Sequence, residues 1–454
     1  MTHFPLFRTR ERAEPRRIAG PGPSAHLARA ATVLALVSMH CAATVPVYLV
    51  RRVLSGRAAA RQHYWERLLS LVQRLGPTFV KFGQILSTRR DELPADLCNV
   101  LARLQDDVDP LPPAVAQAEL SECYGSPLSG TFSEIDLIPI ASGSVASVYR
   151  ARTGSGKDVA VKLRRPRIDR VMATDLALAR AGARLLARLP VFRNVAVVEV
   201  MENIGDAIEM QLDFAREADC LDRIADIVST VPRVWVPRPV RALCRENVVV
   251  MDYIPDLSRD AVDTLNAGLR RRLAETTLTA TYTMLFIDGF VHCDMHPGNL
   301  YFRRSGQVVI LDAGFSVQLS QRMRSLFAEF FLEMAWGRSR RCAEIVLESA
   351  TNRGSPSDHT SFLEEMADLA RRNHNLPASQ FSLIAFAGEM FDLHRRHGLR
   401  AAPELVFPLL ALLVIEGIVR KLDPDIDFQE TAKPVLTRAI FSERAAPASH
   451  QQGG

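Results

Sequence analysis

The feature that most constrains this chain is a polar run of eight residues, His292-Cys293-Asp294-Met295-His296-Pro297-Gly298-Asn299. An apolar run follows and ends in Asp312-Ala313-Gly314, so that Asp294 precedes Asn299 by five residues and Asp312 by eighteen. Enzymes that transfer a phosphoryl group use this spacing. In them an acid orients the attacking hydroxyl, and an asparagine and a strand-borne aspartate hold the metal ion. The pattern therefore predicts Asp294 as the catalytic base and Asn299 and Asp312 as ligands of Mg²⁺.

Other residues of this run have predicted roles as well. His296 follows Asp294 by two residues, where protein kinases place a lysine, and it either contacts the γ-phosphate or braces the loop. His292 is expected to be a structural loop residue, and Cys293 a small filler rather than a nucleophile.

A second motif lies upstream, in a stretch of small residues. It fits a nucleotide-binding loop of the form GxGxxGxV, because small side chains let backbone N–H groups approach phosphates. The run Val159-Ala160-Val161-Lys162 follows and is typical of the strand whose lysine contacts the α- and β-phosphates. The residues predicted to contact the nucleotide are Ala141, Ser142, Gly143, Ser144, Val145, Ala146, Val148 and Lys162, together with Met251 at the end of a further apolar strand.

Lysine is scarce, since only five of the 56 basic residues are lysines. A lysine kept among arginines indicates a position that needs a compact, flexible ammonium group, and Lys162 fits that role. Its partner should be a glutamate on a helix. We favour Glu217, in a helical run where Asp213, Glu217 and Cys220 would share one face. The alternative is that these acids form a solvated helix face.

Composition places the chain among ordinary globular proteins, with 48% apolar and 24% charged residues. A net charge of +5 is too small for this length to indicate nucleic-acid binding. The seven cysteines include no CxxC pair, so neither a zinc site nor a disulfide framework is indicated, and a reducing, cytoplasmic location fits best. Residues 1–24 are too polar for a cleavable signal peptide and are predicted to form a disordered basic arm.

An uncharged stretch of 21 residues, 30–50, lies between Arg29 and Arg51. It is long enough to span a bilayer, but a histidine and a proline interrupt it and its hydrophobicity is marginal. Two interpretations stay open: a single membrane span, and a helix that is buried or lies in the membrane interface. Because arginines flank both ends, the positive-inside rule gives no orientation.

The order of predicted elements indicates an α+β protein. Amphipathic helices over 61–125 break at Gly76-Pro77, β-rich runs occupy 131–165, and helices return over 168–230 and from Gln321 onward. Together with the motifs, this order predicts a two-lobed, protein-kinase-like fold with a helical C-terminal lobe. The predicted divisions are 1–24 (disordered basic arm), 25–60 (apolar helix), 61–130 (N-terminal helical extension), 131–345 (kinase-like catalytic domain), 346–442 (helical part of the large lobe) and 443–454 (disordered tail).

Several motifs together resemble one family. The run Leu75-Gly76-Pro77-Thr78-Phe79-Val80-Lys81-Phe82-Gly83-Gln84 resembles the KxGQ signature of the UbiB/AarF atypical kinase family, and Leu86-Ser87-Thr88-Arg89 continues it. The likeness extends through 104–108, the alanine-rich loop, 214–218, the catalytic loop and 416–425, and covers residues 65–430. It implies that the KxGQ segment folds over the active site, with Lys81 and Gln84 pointing into it.

The same resemblance implies a function. Members of the family are atypical kinases or ATPases that use ATP and Mg²⁺, associate with membranes and support isoprenoid-quinone or related lipid metabolism. The expected partners are a membrane surface or lipid-like small molecule and, as candidate protein partners, other enzymes of isoprenoid-lipid synthesis. The expected location is cytoplasmic, with peripheral or single-span membrane association.

The chain departs from the family pattern at several positions. Its loop has Gly143 and Ala146 where the family pattern AAASxGQV has alanine and glycine. The ExD signature appears as Gln211-Leu212-Asp213, and Ala313 replaces the phenylalanine of a DFG motif. No APE motif follows, and a helix is predicted almost at once, which leaves little platform for a protein substrate.

Two other functions stay open at this point. An aminoglycoside- or choline-kinase-like phosphotransferase shares the HxDxHxxN pattern, but it would carry Asp-x-Asp in place of Asp312-Ala313-Gly314 and would lack KxGQ. A non-catalytic, ATP-gated lipid-binding scaffold would be marked by the loss of a metal ligand, and none is lost here.

Overall fold

A computed structural model of the chain describes residues 23–88, 93, 95–104, 109–189, 197–352, 356–374, 376 and 379–445. Most of the predicted basic arm, Arg89 and residues 105–108 of the KxGQ resemblance, and most of the predicted C-terminal tail lie outside the described residues. The described residues form two compact units. The first comprises residues 23–216 and Pro239–Tyr253, and the second comprises Glu217–Arg238 and residues from Ile254 onward.

The architecture is α+β, as predicted, with long helices around short sheets. The helices are α1 (Pro23–Leu54), α2 (Gly56–Leu75), α3 (Pro77–Thr88), α4 (Ala95–Leu101), α5 (Pro113–Tyr124), α6 (Ile168–Leu186), α7 (Val197–Leu212), α8 (Phe214–Val228), α9 (Ala267–Tyr282), α10 (Gln321–Ala335), α11 (Ser339–Ser349), α12 (Pro356–Asn373), α13 (Leu383–Arg396), α14 (Pro403–Leu422) and α15 (Phe428–Ala445). The strands are β1 (Phe132–Ile135), β2 (Ala141–Ser142), β3 (Ala146–Thr153), β4 (Asp158–Arg164), β5 (Val234–Trp235), β6 (Val248–Asp252), β7 (Phe290–His292), β8 (Leu300–Phe302), β9 (Val308–Ile310), β10 (Ser316–Gln318), β11 (Ala350–Asn352) and β12 (Arg400–Ala401).

The first unit begins with the helical extension, and its predicted break at Gly76-Pro77 is confirmed. Gly76 ends α2 with a φ of +103°, a backbone conformation that favours glycine. Pro77 begins α3, at a position where the missing N–H of proline leaves no helical hydrogen bond unmade.

A buried carboxylate ties α1 to this break. Asp175 on α6 is fully buried. It accepts hydrogen bonds from Arg29 Nε (2.7 Å) and Nη2 (2.9 Å) on α1 and from the Thr78 hydroxyl (2.7 Å) on α3. Arg29 Nη2 also donates to the Leu75 carbonyl (2.6 Å) at the end of α2. We call this group the Arg29–Asp175 cluster; it joins four helices because a buried charge must be paired and hydrogen-bonded.

α1 is apolar on the surface that it leaves exposed. Within the part of the chain that the structure describes, one helix is long and apolar enough to cross a membrane, over Leu27–Leu54, and its most apolar 18-residue stretch has a mean hydropathy of 1.9. It packs along α2. Its exposed side chains include Leu34, Met39, Val50 and Val53.

A five-stranded antiparallel sheet completes the first unit, in the order β1-β3-β4-β6 with β2 paired to β3. The register places Val148 of β3 opposite Lys162 of β4, and Lys162 opposite Val249 of β6. One face of the sheet packs with α5 into a core that includes Tyr149 and Val161, both fully buried. The β-rich runs predicted around 145–163 and 248–251 are therefore confirmed.

The second unit contains a three-stranded sheet, β5-β9-β8, a strand pair, β7-β10, and the C-terminal helices. The apolar run 405–415 lies in α14 and is buried apart from the partly exposed Val414, so α14 is a core helix of this unit. Glu416 on α14 is buried too, and accepts the N–H groups of Leu383 (3.0 Å) and Ile384 (2.7 Å) at the start of α13. Arg420 pairs with the same carboxylate at 3.0 Å. The acid thus satisfies helix-terminal amides that have no partner within α13.

Candidate active site

The catalytic loop, 293–299, lies in the second unit between β7 and β8. β8 pairs with β9, and the Leu311 N–H donates to the Asn299 carbonyl (2.9 Å). Asn299 is therefore bonded to the residue that directly precedes Asp312. The structure brings the two predicted metal ligands to the same edge of this small sheet.

Asp294 is held by hydrogen bonds within the loop. Its N–H donates to His292 Nδ1 (3.1 Å), and its carbonyl accepts a hydrogen bond from Asn299 Nδ2 (2.9 Å). His292 is buried, and burial lowers the pKa of its imidazole, while the nearby Asp294 and Asp312 carboxylates act in the opposite direction. A neutral ring that accepts the Asp294 N–H agrees with the predicted structural role of His292.

His296 folds back onto the loop. Its Nδ1 accepts the Gly298 N–H (2.9 Å), and its Nε2 lies 3.8 Å from Asp294 Oδ1. A Cβ atom at Gly298 would lie 2.5 Å from His296 Cε1, so this position of the ring requires glycine. His296 therefore braces the loop and also lies beside the candidate base, and contact with a γ-phosphate stays a prediction.

The segment after Asp312 is short. Asp312 Oδ1 accepts the Gly314 N–H (2.8 Å), and Ala313, at the position of the DFG phenylalanine, is buried. β10 then pairs with β7, and α10 begins at Gln321. Only residues 315–320 separate Gly314 from α10, so the early start of a helix predicted from the sequence is confirmed.

Glu217, the predicted partner of Lys162, lies in the first turn of α8 and is buried. The expectation that Asp213 shares a helix face with it is wrong. α7 ends at Leu212, α8 begins at Phe214, and the Asp213 carboxylate between them accepts the Arg216 N–H (2.9 Å). An aspartate at this position satisfies an amide that has no partner within the helix, so Asp213 caps α8 instead of continuing α7.

The predicted nucleotide loop and Lys162 lie in the first unit. β2 and β3 form a tight hairpin in which the Gly143 N–H donates to the Ala146 carbonyl (2.8 Å). Because Val148 lies opposite Lys162, the hairpin and the lysine are neighbours in one sheet. The Lys162 ammonium lies 5.4 Å from the ring centroid of Phe214, a distance at which a cation and an aromatic face attract each other.

Met251, the remaining predicted nucleotide contact, lies on β6 in the same sheet. It is buried and pairs with Ala160 of β4. Its contact with a nucleotide stays a prediction.

Arg165 braces the hairpin and was missed by sequence reasoning. Its Nε donates to the Gly143 carbonyl, its Nη2 to the Ser142 hydroxyl and its backbone N–H to the Val145 carbonyl, each at 2.8 Å. Because arginine is common in this chain, a single arginine does not stand out as a functional residue. Only its position three residues after Lys162 could have indicated the role of Arg165.

The KxGQ residues lie on α3 in the first unit. A Cβ atom at Gly83 would overlap Leu104 Cδ1, so any larger residue here would force the Leu104 side chain to move. Gln84 Nε2 donates to the Leu104 carbonyl (3.4 Å), and Lys81 is partly buried. These contacts give Gly83 and Gln84 a packing role. The roles of Lys81 and Gln84 at a nucleotide stay predictions.

The catalytic loop has suitable donors for a divalent cation. Since Asn299 Nδ2 is committed to the Asp294 carbonyl, the amide oxygen is the atom left to coordinate an ion. With the Asp312 carboxylate it makes a pair of hard oxygen donors, which Mg²⁺ uses together with phosphate oxygens. Across the described ranges, no group of three or more His, Cys, Asp and Glu side chains could hold a metal.

An antiparallel sheet with a strand-borne lysine, a catalytic loop and an aspartate after a strand together define a kinase-like protein. Two family models match the chain: the ABC1 atypical kinase-like domain over residues 103–346 and the UbiB helical domain over residues 366–427. The chain therefore belongs to the UbiB family of ABC1 atypical kinases, and it is an enzyme of the kinase type.

Curated relatives agree with this assignment. The probable protein kinase UbiB of Xylella fastidiosa is 32% identical over 394 residues, which cover 84% of this chain and 70% of that protein. The proteins of the same name from Pseudomonas aeruginosa and Xanthomonas axonopodis pv. citri are each 33% identical. They cover 84% and 86% of this chain, and in each case 72% of the relative.

A solved structure shares the fold. It is the complex structure of Rv3197 and erythromycin from Mycobacterium tuberculosis, with a TM-score of 0.56 over 85% of this chain and 97% of that chain. At 18% identity this likeness concerns the fold alone. It confirms the predicted α+β, kinase-like fold.

Proposed function

We propose that this enzyme binds ATP with Mg²⁺ and either hydrolyses it or transfers its γ-phosphoryl group to a small, lipid-like acceptor at a membrane surface. We further propose that this activity supports isoprenoid-quinone or related lipid metabolism. The observation that carries the proposal is the hydrogen-bonded catalytic loop, in which Asn299 is bonded both to Asp294 and to Leu311, the residue before Asp312. The match to the family models favours this proposal over an aminoglycoside- or choline-kinase-like phosphotransferase.

Each candidate residue has one role in this proposal. Lys162 and the hairpin 141–148 bind the phosphates of ATP, and Glu217 pairs with the lysine. Asn299 and Asp312 hold the metal, which, when bound, neutralises charge on the transferred phosphoryl group.

The candidate base has one neighbour that can help it. Asp294 accepts the proton of the attacking hydroxyl or water. The Nε2 of His296 lies 3.8 Å from the Asp294 carboxylate, close enough for His296 to contact the oxygen from which Asp294 accepts the proton.

The acceptor is proposed to be small because the chain offers little surface for a peptide. Residues 315–320 alone separate Gly314 from α10, where protein kinases carry a longer segment that binds substrate. The names of the curated relatives include the words protein kinase, so a protein acceptor is the competing proposal.

Metal binding is tested by Asp312→Asn. Removing the carboxylate should weaken Mg²⁺-dependent ATP binding, so the thermal shift produced by Mg-ATP should shrink clearly. The matched control is Asp425→Asn, which changes an exposed aspartate of the same unit and should leave the shift unaltered. An undiminished thermal shift in Asp312→Asn would refute the assignment of Asp312 as a metal ligand.

The acceptor is tested with labelled ATP, a generic protein substrate and a lipid extract. Wild type should label lipid or release phosphate, and should leave the generic protein unlabelled. Gly143→Ala should weaken ATP binding, because it restricts the backbone of the hairpin. If wild type labels the generic protein strongly, and if Lys81→Ala does not alter the amount of label, then the KxGQ segment does not gate the site.

We also propose that α1 lies in the membrane interface instead of spanning the bilayer. Its outer surface is apolar, whereas its inner side packs along α2, which carries four arginines, Arg57, Arg61, Arg67 and Arg74. A spanning helix would have to exchange this charged neighbour for lipid. A helix in the interface keeps α2 on its aqueous side and adds the attraction of flanking arginines to anionic lipids.

Flotation with anionic vesicles tests the interfacial position. Deleting residues 1–52 would also remove Arg29 and leave Asp175 buried without its ion pair, so the sharper variant is Leu34→Gln with Met39→Gln and Val50→Gln. This variant should stay at the bottom of the gradient while wild type floats. Equal flotation would mean that another surface binds lipid. Resistance of wild type to an alkaline wash would favour a span instead.

A further inference from the structure

The second unit contains an arginine that none of the roles above uses. Arg223 lies on α8, six residues after Glu217. Its Nη2 donates to Asp288 Oδ1 (2.7 Å) and to Gln318 Oε1, and its guanidinium carbon lies 4.2 Å from the ring centroid of Phe290. We call these four residues the Arg223 cluster.

Two of the three partners of Arg223 lie on the paired strands β7 and β10, and the third, Asp288, lies two residues before β7. Phe290 begins β7, which leads directly into the loop, and Gln318 lies opposite it on β10. Gln318 Nε2 also donates to the carbonyls of Gly289 (3.2 Å) and Leu319 (3.1 Å), which ties it to the backbone on both sides of the pair. A displacement of Arg223 would therefore act on β7, the strand that leads into the loop with Asp294.

We infer that Arg223 is a positioning residue, which holds α8 and the β7-β10 pair in one fixed arrangement. The inference rests on the proposed function, because it matters only if Glu217 and Asp294 both serve phosphoryl transfer. Six residues of helix span about 9 Å, so the attachment lies close to Glu217 along α8. Glu217 and Asp294 then keep a constant spacing, and this enzyme cannot be switched by rotating its glutamate-bearing helix away from the catalytic loop.

The chemistry of the cluster requires arginine. A planar guanidinium stacks on the Phe290 ring while its Nη2 group donates to two acceptors. A lysine could keep the ion pair with Asp288, but it would lose the stacking on Phe290. Arg223→Lys should therefore retain part of the effect, and Arg223→Met should retain none.

Steady-state ATP hydrolysis tests the inference. In Arg223→Met, kcat should fall about tenfold, because a shifted catalytic loop lowers the rate of the chemical step. The KM for ATP should change little, since Asp288, Phe290 and Gln318 are not among the residues assigned to the nucleotide. The melting temperature should fall by only about 2–4 °C, because half-exposed ion pairs contribute little to stability. Arg223→Asp combined with Asp288→Arg should recover part of the kcat that either single variant loses.

Hydrogen exchange of the backbone amides of 288–294 gives a readout that does not depend on activity. It should become faster in Arg223→Met than in wild type. The matched control is Arg238→Met, which removes an arginine that pairs with Asp226 of the same helix at 2.7 Å and is not a member of the Arg223 cluster. This control should leave both kcat and the exchange unchanged.

The outcomes separate the two proposals. Unchanged exchange at 288–294 in Arg223→Met, or an equal loss of kcat in Arg238→Met, would overturn the positioning role. A wild-type protein that neither hydrolyses ATP nor labels a lipid extract would refute the proposed function instead, and the exchange comparison would still decide whether Arg223 fixes β7.

Discussion

Replacing Arg29 by methionine should destabilise the first unit by about 3 kcal/mol. The variant leaves Asp175 fully buried, with the Thr78 hydroxyl as its remaining hydrogen-bond partner among the described residues. Removing one partner of a buried ion pair costs about 3–5 kcal/mol, because the other charge stays buried. The Arg29 side chain is 26% exposed, so water can reach part of the vacated space, and the lower end of that range applies.

A double-mutant cycle measures this interaction. Trp65 lies on α2 in the first unit, so its fluorescence during urea unfolding reports on that unit once Trp235 and Trp336 are replaced by phenylalanine. Asp175→Asn should cost less than Arg29→Met, because it removes the buried charge itself. The coupling energy between the two substitutions should be about 2 kcal/mol.

The matched control is Arg51→Met, which changes an exposed arginine in the last turn of the same helix. It should alter stability by less than about 0.5 kcal/mol. If Arg29→Met and Arg51→Met prove equally mild, the Arg29–Asp175 cluster does not hold α1, and the reasoning fails.

Three further predictions concern single positions. Gly298→Ala should displace the His296 ring and lower ATP turnover about tenfold, whereas an unchanged kcat would show that the ring position is irrelevant. Gly83→Ala should lower the melting temperature, because overpacking against Leu104 costs about 1–3 kcal/mol, whereas the better helix propensity of alanine contributes only about 1 kcal/mol. A higher melting temperature would contradict this prediction. Burial, and secondarily repulsion between acids, raises the pKa of Asp206 to about 6 from 3.8, so its contribution to stability is present at low pH and is lost as the pH rises through about 6. Asp206→Asn should therefore gain stability relative to wild type at about pH 8 but not at about pH 4, and parallel melting curves at both pH values would refute this.

The parts of the molecule that the sequence predicts well are those where chemistry fixes the spacing. The motif places Asp294 and Asn299 on one loop and Asp312 at the end of a strand. The number of residues between them therefore predicts how they are arranged in space. The helix break at Gly76-Pro77 was equally predictable. Glycine allows a positive φ at the end of a helix, and proline favours the first position of the next helix.

The parts that the sequence did not predict depend on partners far along the chain. Asp175 lies in an alanine- and leucine-rich helix, where an aspartate usually faces solvent, and only Arg29 and Thr78 explain its burial. Asp213 continues a helical pattern, and no local signal marks it as a cap. The length and hydropathy of α1 do not distinguish a membrane span from an interfacial helix. Its packing along α2 supports the proposal that α1 lies in the membrane interface.

The late position of β6 in the chain has a consequence for synthesis on the ribosome. β6 pairs with β4 inside the first unit, and its residues Val248, Val249 and Val250 are fully buried, yet residues 217–238 of the second unit are made before it. A nascent chain that ends at residue 216 therefore exposes the edge of β4 and its apolar face, a template for pairing with other chains. Fragments that stop between 216 and 247 should aggregate. A separately expressed first unit would need residues 239–253 joined behind residue 216 to close its sheet.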